Sequence, residues 1–339
     1  MEITTIGLDL AKSVFQVHGI DSTGKVLIRK ALKRAQVLAF FTKLPPCLIG
    51  MEACGTSHYW ARELIKFGHD VRLMPPAYVK PYVKRGKTDP ADAEAICEAV
   101  TRPTMRFVPV KSPEQQAVLS LHRTRDLLVK QRTQTVNMLR GLLAEFGIDL
   151  ARGIHHALAL ARRITEGHAP AVPPLVVRTV TSLAEQVHDL QAKLTRLDKE
   201  LIACHRESEL AKRLSSIPGV GVVTASALAA TVSDPQQFKS GRHFAAWLGL
   251  TPLQHSSGGK NRLGKISKMG DKYLRQLLVV GMTAIVRRAK HKPEAASPWL
   301  LALLARKPAR VVTVALANKA ARIVWALMVR GGTHKAAAA

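Results

Sequence analysis

Residues 4–31, TTIGLDLAKSVFQVHGIDSTGKVLIRKA, decide the fold of the first third of the chain. They contain three runs in which apolar residues alternate with polar ones, and the DSTG turn at residues 21–24 separates the second run from the third. Such alternation, bounded by turn residues, is typical of β-strands. The stretch therefore predicts three successive strands, TTIGLDL, SVFQVHGI and KVLIRKA.

The residues that follow alternate between helix and strand patterns. The pattern predicts a helix around residues 33–43, a strand at CLIGME (residues 47–52), a helix from Ser57 to Phe67 and a short strand at VRLM (residues 71–74). Three strands followed by alternating helices and strands predict an α/β sheet of mixed direction. This is the plan of a ribonuclease H-like domain, which we expect at residues 1–110.

Residues 111–207 are predicted to be helical. In the second half of this region apolar residues recur at alternating spacings of three and four, as in a coiled-coil seam. The seam residues are Val180, Leu183, Val187, Leu190, Leu194, Leu197 and Leu201. A preceding helix, at about residues 113–147, is separated from this one by the turn or linker APAVPPL. The seam requires a partner helix, which lies within the chain, in another chain, or both.

Residues 208–330 combine short helices with Gly, Pro and many basic residues, and predict a mainly helical domain. The run IPGVGVVTASAL, residues 217–228, is typical of a helix-hairpin-helix. In that motif a turn containing Gly219 and Gly221 offers backbone N–H groups to a phosphate. An ordinary tight turn between two helices is the alternative. Residues 331–339 predict a disordered tail.

The charge of the chain points to a polyanionic partner. Its 339 residues include 51 Lys and Arg but 24 Asp and Glu, a net charge of +27, which is more than solubility requires. The basic residues recur within segments predicted to fold, which favours grooves that bind nucleic acid, although a solvated basic face is the alternative for any one cluster. Two such clusters are Lys80, Lys84, Arg85 and Lys87, and Arg123, Arg125, Lys130, Arg132 and Arg140.

The remaining composition excludes several classes of protein. The four cysteines form no C-x-x-C pair, so we expect reduced thiols and no zinc site. The N-terminus lacks the basic and apolar regions of a signal peptide. No uncharged apolar run is expected to span a bilayer, since LLVVGMTAIV ends at Arg287 and Arg288. A soluble intracellular protein without a membrane partner is predicted.

Four carboxylates are candidates for a metal site. Asp9 lies inside an apolar strand and Glu52 closes another, where a carboxylate is costly unless it is paired or bound to a cation. In GKTDPADAEAI, residues 86–96, Asp89 and Asp92 are three residues apart and share a face if the segment is helical. Four converging oxygen ligands suit Mg²⁺.

Ordinary structural roles are the alternative for the same acids. Asp89 is a suitable N-cap, Pro90 suits the first turn of a helix, and Asp92 favours the helix dipole. Asp9 could pair with Lys12.

These motifs resemble those of the IS-one-ten (IS110) family of insertion-sequence transposases. GLDLAK, the Glu of GMEACG and KTDPADA are similar to the D, E, D and D motifs of that family, and LSSIPGVGVVTA and WLGLTPLQHSSGG are similar to its C-terminal motifs. The resemblance covers nearly the whole chain. It implies a RuvC-like DEDD domain, a coiled coil and a C-terminal transposase domain, with Asp9, Glu52, Asp89 and Asp92 as the metal-binding acids.

The resemblance also implies a catalytic serine shortly after the LTP stretch and just before a Gly. This position corresponds to Ser257, with Ser256 as the neighbouring alternative. A serine hydroxyl needs a metal or base to activate it and positive charge to hold the phosphate. The basic residues that follow are expected to bind the nucleic acid: Lys260, Arg262, Lys265 and Lys268. From the residues alone, a flexible Ser-Gly loop that clamps DNA is the alternative.

The function implied by the resemblance is a transposase that cuts and rejoins DNA strands through a phosphoserine, with Mg²⁺ at the DEDD site. Its partners would be the DNA of the element ends and target, and a structured noncoding bridge RNA. A homo-oligomer, dimer or tetramer, is expected in the bacterial cytoplasm, at the nucleoid when bound to DNA. Two alternatives stay open: a RuvC-like junction-resolving nuclease that activates water, and an architectural nucleic-acid-binding protein without catalysis.

Overall fold

The computed structural model describes residues 2–84, 86, 88–168, 170–260 and 262–334. By its internal contacts the chain divides into two units, Met1–Pro113 and Glu114–Ala339. Arg85 and Lys87, two of the predicted nucleic-acid-binding residues, lie outside the described residues, as do residues 335–339 of the predicted tail.

Five strands form the sheet of the N-terminal unit: β1 Thr5–Asp9, β2 Val14–Ile20, β3 Val26–Lys33, β4 Leu48–Glu52 and β5 Asp70–Met74. Their order in the sheet is β3-β2-β1-β4-β5. β2 pairs antiparallel with both β1 and β3, whereas β4 runs parallel to both β1 and β5. The predicted α/β sheet of mixed direction is confirmed, and each predicted strand lies within two residues of its expected bounds.

The helices of this unit are α1 Val37–Phe41, α2 Ser57–Lys66, α3 Pro76–Val79 and α4 Asp89–Val100. Successive strand residues point to opposite faces of the sheet. Ile6 and Leu8 point to one face, where they share a buried cluster with Trp60 of α2 and Phe41 of α1. α4 crosses the opposite face and contacts β1, β2 and β4. The sheet therefore has a core on each side.

The C-terminal unit is mainly helical, as predicted. Its helices are α5 Pro113–Ala144, α6 Ile154–Thr165, α7 Pro174–Glu207, α8 Glu209–Ser215, α9 Val222–Thr231, α10 Gly241–Trp247, α11 Lys272–His291, α12 Pro298–Arg306 and α13 Ala309–Arg330. A two-stranded hairpin, β6 Pro252–Gln254 and β7 Leu263–Ile266, interrupts them. α6 lies within the region predicted to be helical but was not expected as a separate helix; its buried residues are Ala157, Ala161 and Ile164.

α5 and α7 run antiparallel and pair within the chain. Arg125 Nε donates to Asp198 Oδ1 at 2.6 Å, and Arg132 donates to Gln191 Oε1 at 2.5 Å. Between these two bonds the contact moves seven residues forward along α5 and seven residues back along α7. The helices also share a buried cluster, which includes Val136, Leu139, Leu143, Val180, Ala184 and Val187. The cluster also includes Ala157, Ala161 and Ile164 of α6, so the α7 seam has partners in both α5 and α6 of the same chain.

The predicted seam agrees with α7 in part. The buried seam residues are Val180, Val187, Leu190, Leu194 and Leu201. Leu183 and Leu197 are half-buried, and the polar bonds to α5 come from positions one residue further along, Gln191 and Asp198. Apolar periodicity identifies the apolar positions of a helix seam. It does not identify polar seam residues such as Gln191 and Asp198, which accept hydrogen bonds from two arginines of α5.

His122 joins α5 to the helices that follow the Pro-Gly turn. It is 1% exposed, with Nδ1 at 3.1 Å from the Tyr273 hydroxyl of α11 and Nε2 at 3.1 Å from Ser226 Oγ of α9. Burial lowers the pKa of His122 to about 4, so the ring is neutral at physiological pH. The Ser226 hydroxyl donates to the Val222 carbonyl, so Nε2 donates to Ser226 and Nδ1 accepts from Tyr273.

In the described part of the chain one helix, α13, is long and apolar enough to cross a membrane. No such segment was expected from the sequence, but the only charged residues in the interior of α13 are Lys319 and Arg322, which leave it apolar overall. Ala317, Ala321 and Val324 of α13 are fully buried with residues of α8 to α11. The apolar character of α13 thus serves the core of the C-terminal unit.

Leu139→Ala tests the pairing of α5 with α7. Leu139 is 0% exposed, so truncation should lower the free energy of unfolding by about 2–5 kcal/mol, through lost apolar contact and a residual cavity. Leu127 of the same helix is 54% exposed, and Leu127→Ala should change stability by no more than about 0.5 kcal/mol. Urea unfolding followed by circular dichroism compares the two. Equal effects would contradict pairing within the chain.

Candidate active site

An acidic cluster lies at the carboxyl end of β1, where α4 begins. Asp9, Asp89 and Asp92 each place one carboxylate oxygen within 4.8 Å of the other two. Asp9 ends β1, and Asp89 and Asp92 lie in the first turn of α4. Asp89 is exposed and the other two are half-buried. Within the residues that the structure describes, this is the one group of acidic, His or Cys side chains spaced to hold a metal ion.

Glu52 lies beside this cluster but is not a member of it. It ends β4, one position beyond the paired residues Leu8 of β1 and Met51 of β4. Asp9 and Glu52 therefore occupy corresponding positions on adjacent parallel strands, which lie about 4.8 Å apart. The fold brings the four predicted acids to one end of the sheet and groups three of them.

Gly7 determines how closely α4 can approach β1. It precedes Asp9 by two residues, so both face α4. A Cβ atom at Gly7 would lie less than 3.0 Å from the Ala93 carbonyl oxygen and from the amide nitrogen of Cys97, which belong to the backbone of α4. Backbone atoms cannot rotate away as a side chain can. The missing side chain of Gly7 therefore fixes the distance between the strand that carries Asp9 and the helix that carries the other two acids.

Gly50 lies two residues before Glu52 in β4, as Gly7 lies before Asp9 in β1, and it allows the C-terminal end of α4 to approach the sheet. A Cβ atom at Gly50 would lie less than 3.0 Å from the Val100 Cβ. The sequence thus contains a Gly-x-acid pattern twice, GLD at residues 7–9 and GME at residues 50–52. Sequence reasoning used the acids of these motifs and missed the glycines, although the repeated spacing was a signal that could have found them.

The start of α4 differs from the alternative interpretation in which Asp89 caps the helix. The residue before the helix is Thr88, in an extended conformation and without a side-chain cap hydrogen bond, and Asp89 is already the first helical residue. The interpretation of Asp89 as the N-cap is therefore wrong. Carboxylates in a first turn still favour the helix dipole, so the helix end stabilises the charge of Asp89 and Asp92 without requiring them for capping.

Ser256 and Ser257 lie near the tip of the β6–β7 hairpin and are exposed. The two hydroxyls differ: Ser256 Oγ accepts a hydrogen bond from the Arg262 amide at 3.1 Å. Ser257 is bridged to Lys260 through its backbone, with the Lys260 amide donating to the Ser257 carbonyl at 3.1 Å. Among the described residues no hydrogen bond engages the Ser257 hydroxyl, which is therefore the more available nucleophile.

The predicted basic residues of this region follow the serines, from Lys260 at the tip of the hairpin to Lys268 at its base. All are exposed, and none forms an ion pair with any residue of the described ranges. They are Lys260, Arg262, Lys265 and Lys268. Their charge is thus available to a phosphate at the hairpin. In the N-terminal unit, by contrast, the Lys84 ammonium donates to Glu94 at 2.7 Å.

The predicted phosphate-binding turn connects α8 to α9. Gly219 has a φ of 83° and packs against Gly281 and Met282 of α11, so it points into the unit. Gly221 precedes α9, and nothing lies within 4 Å of the position that a Cβ would take. A groove of about 550 Å³ follows this turn, lined by Arg125, Ser216 and Val280 among others. The first N–H groups of α9 have no partner within the helix.

Sequence comparison agrees with this arrangement of motifs. Residues 6–148 match the DEDD transposase model of the IS110 type, and residues 211–298 match the model described as "Transposase IS116/IS110/IS902 family".

The chain is also similar over nearly its whole length to curated transposases. The "Probable family 20 transposase" of Pseudomonas aeruginosa is 53% identical, covering 97% of this chain and 98% of that protein. The transposase for insertion sequence element IS1328 of Yersinia enterocolitica is 41% identical, covering 97% and 98%. The transposase for insertion sequence element IS1111A of Coxiella burnetii is 41% identical, covering 99% and 93%.

Gly7→Ala tests whether the contact between α4 and β1 sets the acidic cluster. The added methyl group must lift α4 from β1, so it should weaken Mn²⁺ binding about 10-fold or more, a loss typical of disturbed support around metal ligands. Mn²⁺ titration followed by electron paramagnetic resonance measures the affinity. Gly141→Ala adds the same group where nothing lies within 4 Å and should leave Mn²⁺ binding unchanged. Equal affinities in the two variants would contradict the role of Gly7.

Proposed function

Because the chain belongs to the IS110 family of insertion-sequence transposases, we propose that it cuts and rejoins DNA strands through a phosphoserine formed at Ser257. Membership of a transposase family implies that the protein is an enzyme and that its partner is DNA. The observation that supports the metal-dependent chemistry of the proposal is the convergence of Asp9, Asp89 and Asp92, which are about 80 residues apart in the sequence, at the carboxyl end of the central strand β1.

The donor set fits a hard divalent cation. Carboxylate oxygens are the ligands that Mg²⁺ prefers, and DEDD transposases typically use a divalent metal. Asp9, Asp89 and Asp92 would hold Mg²⁺, with Glu52 on the neighbouring strand as a fourth acid. When bound, the metal stabilises the attacking and leaving oxygens of a phosphodiester. The exposure of Asp89 leaves the cluster open to a DNA strand.

The strand order supports a ribonuclease H-like, RuvC-like assignment for residues 1–110. An antiparallel β1–β2–β3 meander is followed by β4 and β5, which run parallel to β1. We assign residues 111–207 to a coiled-coil region and residues 208–330 to a transposase domain. The first assignment is supported by the partly buried polar contacts and the buried apolar contacts between α5 and α7, and the second by the helices that follow.

Ser257 supplies the covalent chemistry in this proposal. Its Oγ forms a bond to the phosphorus and loses its proton, while the bond from phosphorus to one sugar oxygen breaks and that oxygen takes up a proton. A hydroxyl of another strand then attacks the phosphoserine, which restores the serine and joins the new strand. The energy of the phosphodiester is kept throughout. The unengaged hydroxyl of Ser257 and the free charges of Lys260 and Arg262 support this assignment.

The C-terminal unit supplies a second contact to nucleic acid. The open position of Gly221 and the free N–H groups at the start of α9 support a helix-hairpin-helix that binds a backbone phosphate. The excess of basic residues, +27 overall, is compatible with a structured bridge RNA that pairs with target and donor DNA.

Strand exchange between two DNA molecules requires more than one active site. We therefore propose a homo-oligomer, dimer or tetramer. Because the partner is DNA, we place the protein in the bacterial cytoplasm, at the nucleoid when it is bound.

The acids are tested one at a time. Asp9→Ala, Glu52→Ala, Asp89→Ala and Asp92→Ala should each lower Mg²⁺-dependent DNA cleavage by at least about a hundredfold, because each removes a ligand from a metal that stabilises the transition state. Glu98→Ala changes a carboxylate of α4 that pairs with Arg102 and should keep full activity. If Asp92→Ala cleaves normally and loses only thermal stability, the acid serves the helix start and not the metal.

The serine is tested by trapping the covalent intermediate. Incubation with Mg²⁺ and element-end DNA should yield DNA attached to the protein, and Ser257→Ala should lose this adduct while still binding DNA, since the hydroxyl adds little to the many basic contacts. Ser256→Ala is the matched control, one residue away. An adduct that survives in Ser257→Ala and disappears in Ser256→Ala would move the nucleophile; cleavage by both variants without any adduct would leave water as the attacking group.

A further inference from the structure

A cleft lies next to the acidic cluster, on the same face of the sheet. Its volume is about 160 Å³, and Gln16, His18, Arg29 and Pro90 are among the residues that line it. Gln16 of β2 lies directly opposite Asp9 of β1, and His18 lies directly opposite Arg29 of β3. Residues directly opposite one another share a face of the sheet. The cleft therefore begins beside Asp9 and ends at Arg29.

At its Arg29 end, away from the acidic cluster, the cleft carries positive charge. Glu94 of α4 is the partner of two cations: Arg29 lies at 3.6 Å from its carboxylate and Lys84 at 2.7 Å. One carboxylate cannot neutralise both, so a positive charge remains. The side chains of Arg29 and Lys84 are 64% and 71% exposed, and exposed ion pairs are weak in water. A phosphate can therefore compete with Glu94 for Arg29.

His18 and Gln16 give the cleft neutral polar groups. His18 is 5% exposed, and burial lowers the pKa of His18, so the ring is neutral at physiological pH. Gln16 is half-buried, and its amide can donate to a phosphate oxygen. The cleft thus combines an exposed guanidinium with neutral hydrogen-bonding groups, and Arg29 can contact two phosphate oxygens at once.

We propose that this cleft binds one backbone phosphate of the DNA strand, close to the phosphodiester that lies at the acidic cluster. The inference rests on the proposed function, because it takes the acidic cluster as the place of cleavage. Arg29 lies two positions, about 7 Å, along the strands and two strands, about 10 Å, across the sheet from Asp9, which is about 12 Å between the two backbone positions. This separation corresponds to about two phosphate spacings of an extended strand. Arg29 would hold the strand in register while the acids act on a phosphodiester about two positions away.

The experiment compares Arg29→Gln with Lys30→Gln in the full-length protein. Lys30 is the next residue of β3 and has the same charge. It also borders the cleft, but its ammonium lies at 5.8 Å from the ring centre of Phe40, on the opposite face of the sheet. Element-end DNA with a single neutral methylphosphonate at each position in turn is bound in Ca²⁺, and affinity is measured by fluorescence anisotropy. For unmodified DNA, Arg29→Gln should weaken binding about 10-fold and lower the slope of log affinity against log salt by about 1.

The decisive result is the response to the neutral phosphate. At one position the methylphosphonate should weaken binding by the wild type and by Lys30→Gln, but should have no further effect on Arg29→Gln. Glu94→Gln removes the carboxylate that competes with phosphate and should tighten binding of unmodified DNA. If Arg29→Gln and Lys30→Gln respond alike at every position, or if Glu94→Gln weakens binding, the cleft is not a phosphate site.

The same measurements separate this inference from the proposed function. One outcome is that Arg29→Gln does not respond to the methylphosphonate, while the wild type forms no serine adduct. This outcome would support the phosphate site and contradict the phosphoserine. Normal adduct formation with equal responses of Arg29→Gln and Lys30→Gln would support the phosphoserine and overturn the phosphate site.

Discussion

The contact between the backbones of α4 and β1 at Gly7 is the constraint on which the N-terminal unit depends. A helix normally lies at a side chain's distance from a sheet, but here the Ala93 carbonyl and the Cys97 amide occupy the space of a missing Cβ. Cys97 is 1% exposed, and its thiol lies at 3.9 Å from the Thr5 carbonyl. Close packing along the length of β1 means that the ends of strand and helix cannot separate independently, and those ends carry Asp9, Asp89 and Asp92. The geometry of the acids is therefore a consequence of packing several residues away.

The C-terminal unit uses partly buried polar contacts for a comparable purpose. Apolar seams allow two helices to slide by a turn with little change in burial, whereas a pair such as Arg125 with Asp198 is satisfied in one register only. His122 then ties α5 to α9 and α11 through hydrogen bonds that fix its tautomer. The turn before α9 is thereby attached to the long helices. A phosphate-binding turn held in this way would transmit the position of the nucleic acid to α5 and α7.

Much of the fold could be predicted from the sequence because its signals are local. The strands of the N-terminal unit alternate in polarity between clear turns. Asp9 and Glu52 interrupt apolar runs, where a carboxylate is costly unless it is paired or bound to a cation. The features that sequence reasoning missed depend on partners far away in the chain. Nothing in the sequence distinguishes Gln191 from other polar residues, because its role depends on the hydrogen bond from Arg132. Gly7 is one of 22 glycines, and its role depends on the close approach of α4. The difference between Ser256 and Ser257 arises from a hydrogen bond across the hairpin, which no pattern of residue types contains.

The acidic cluster and the basic surface around it impose opposite requirements on DNA. Three carboxylates within 4.8 Å repel one another and repel a phosphodiester, whereas the net charge of +27 attracts the same strand. A divalent cation held by these acids would remove the conflict, because it would neutralise them. On the proposed function, metal and DNA should therefore each raise the affinity of the other, by the same factor in both directions. Without metal, the proposed contacts at Arg29 and at the Ser257 hairpin would still hold DNA, but a phosphodiester between the acids would be disfavoured. General attraction of the strand by basic residues would then be separate from admission to the reacting position, for which the cation would be needed.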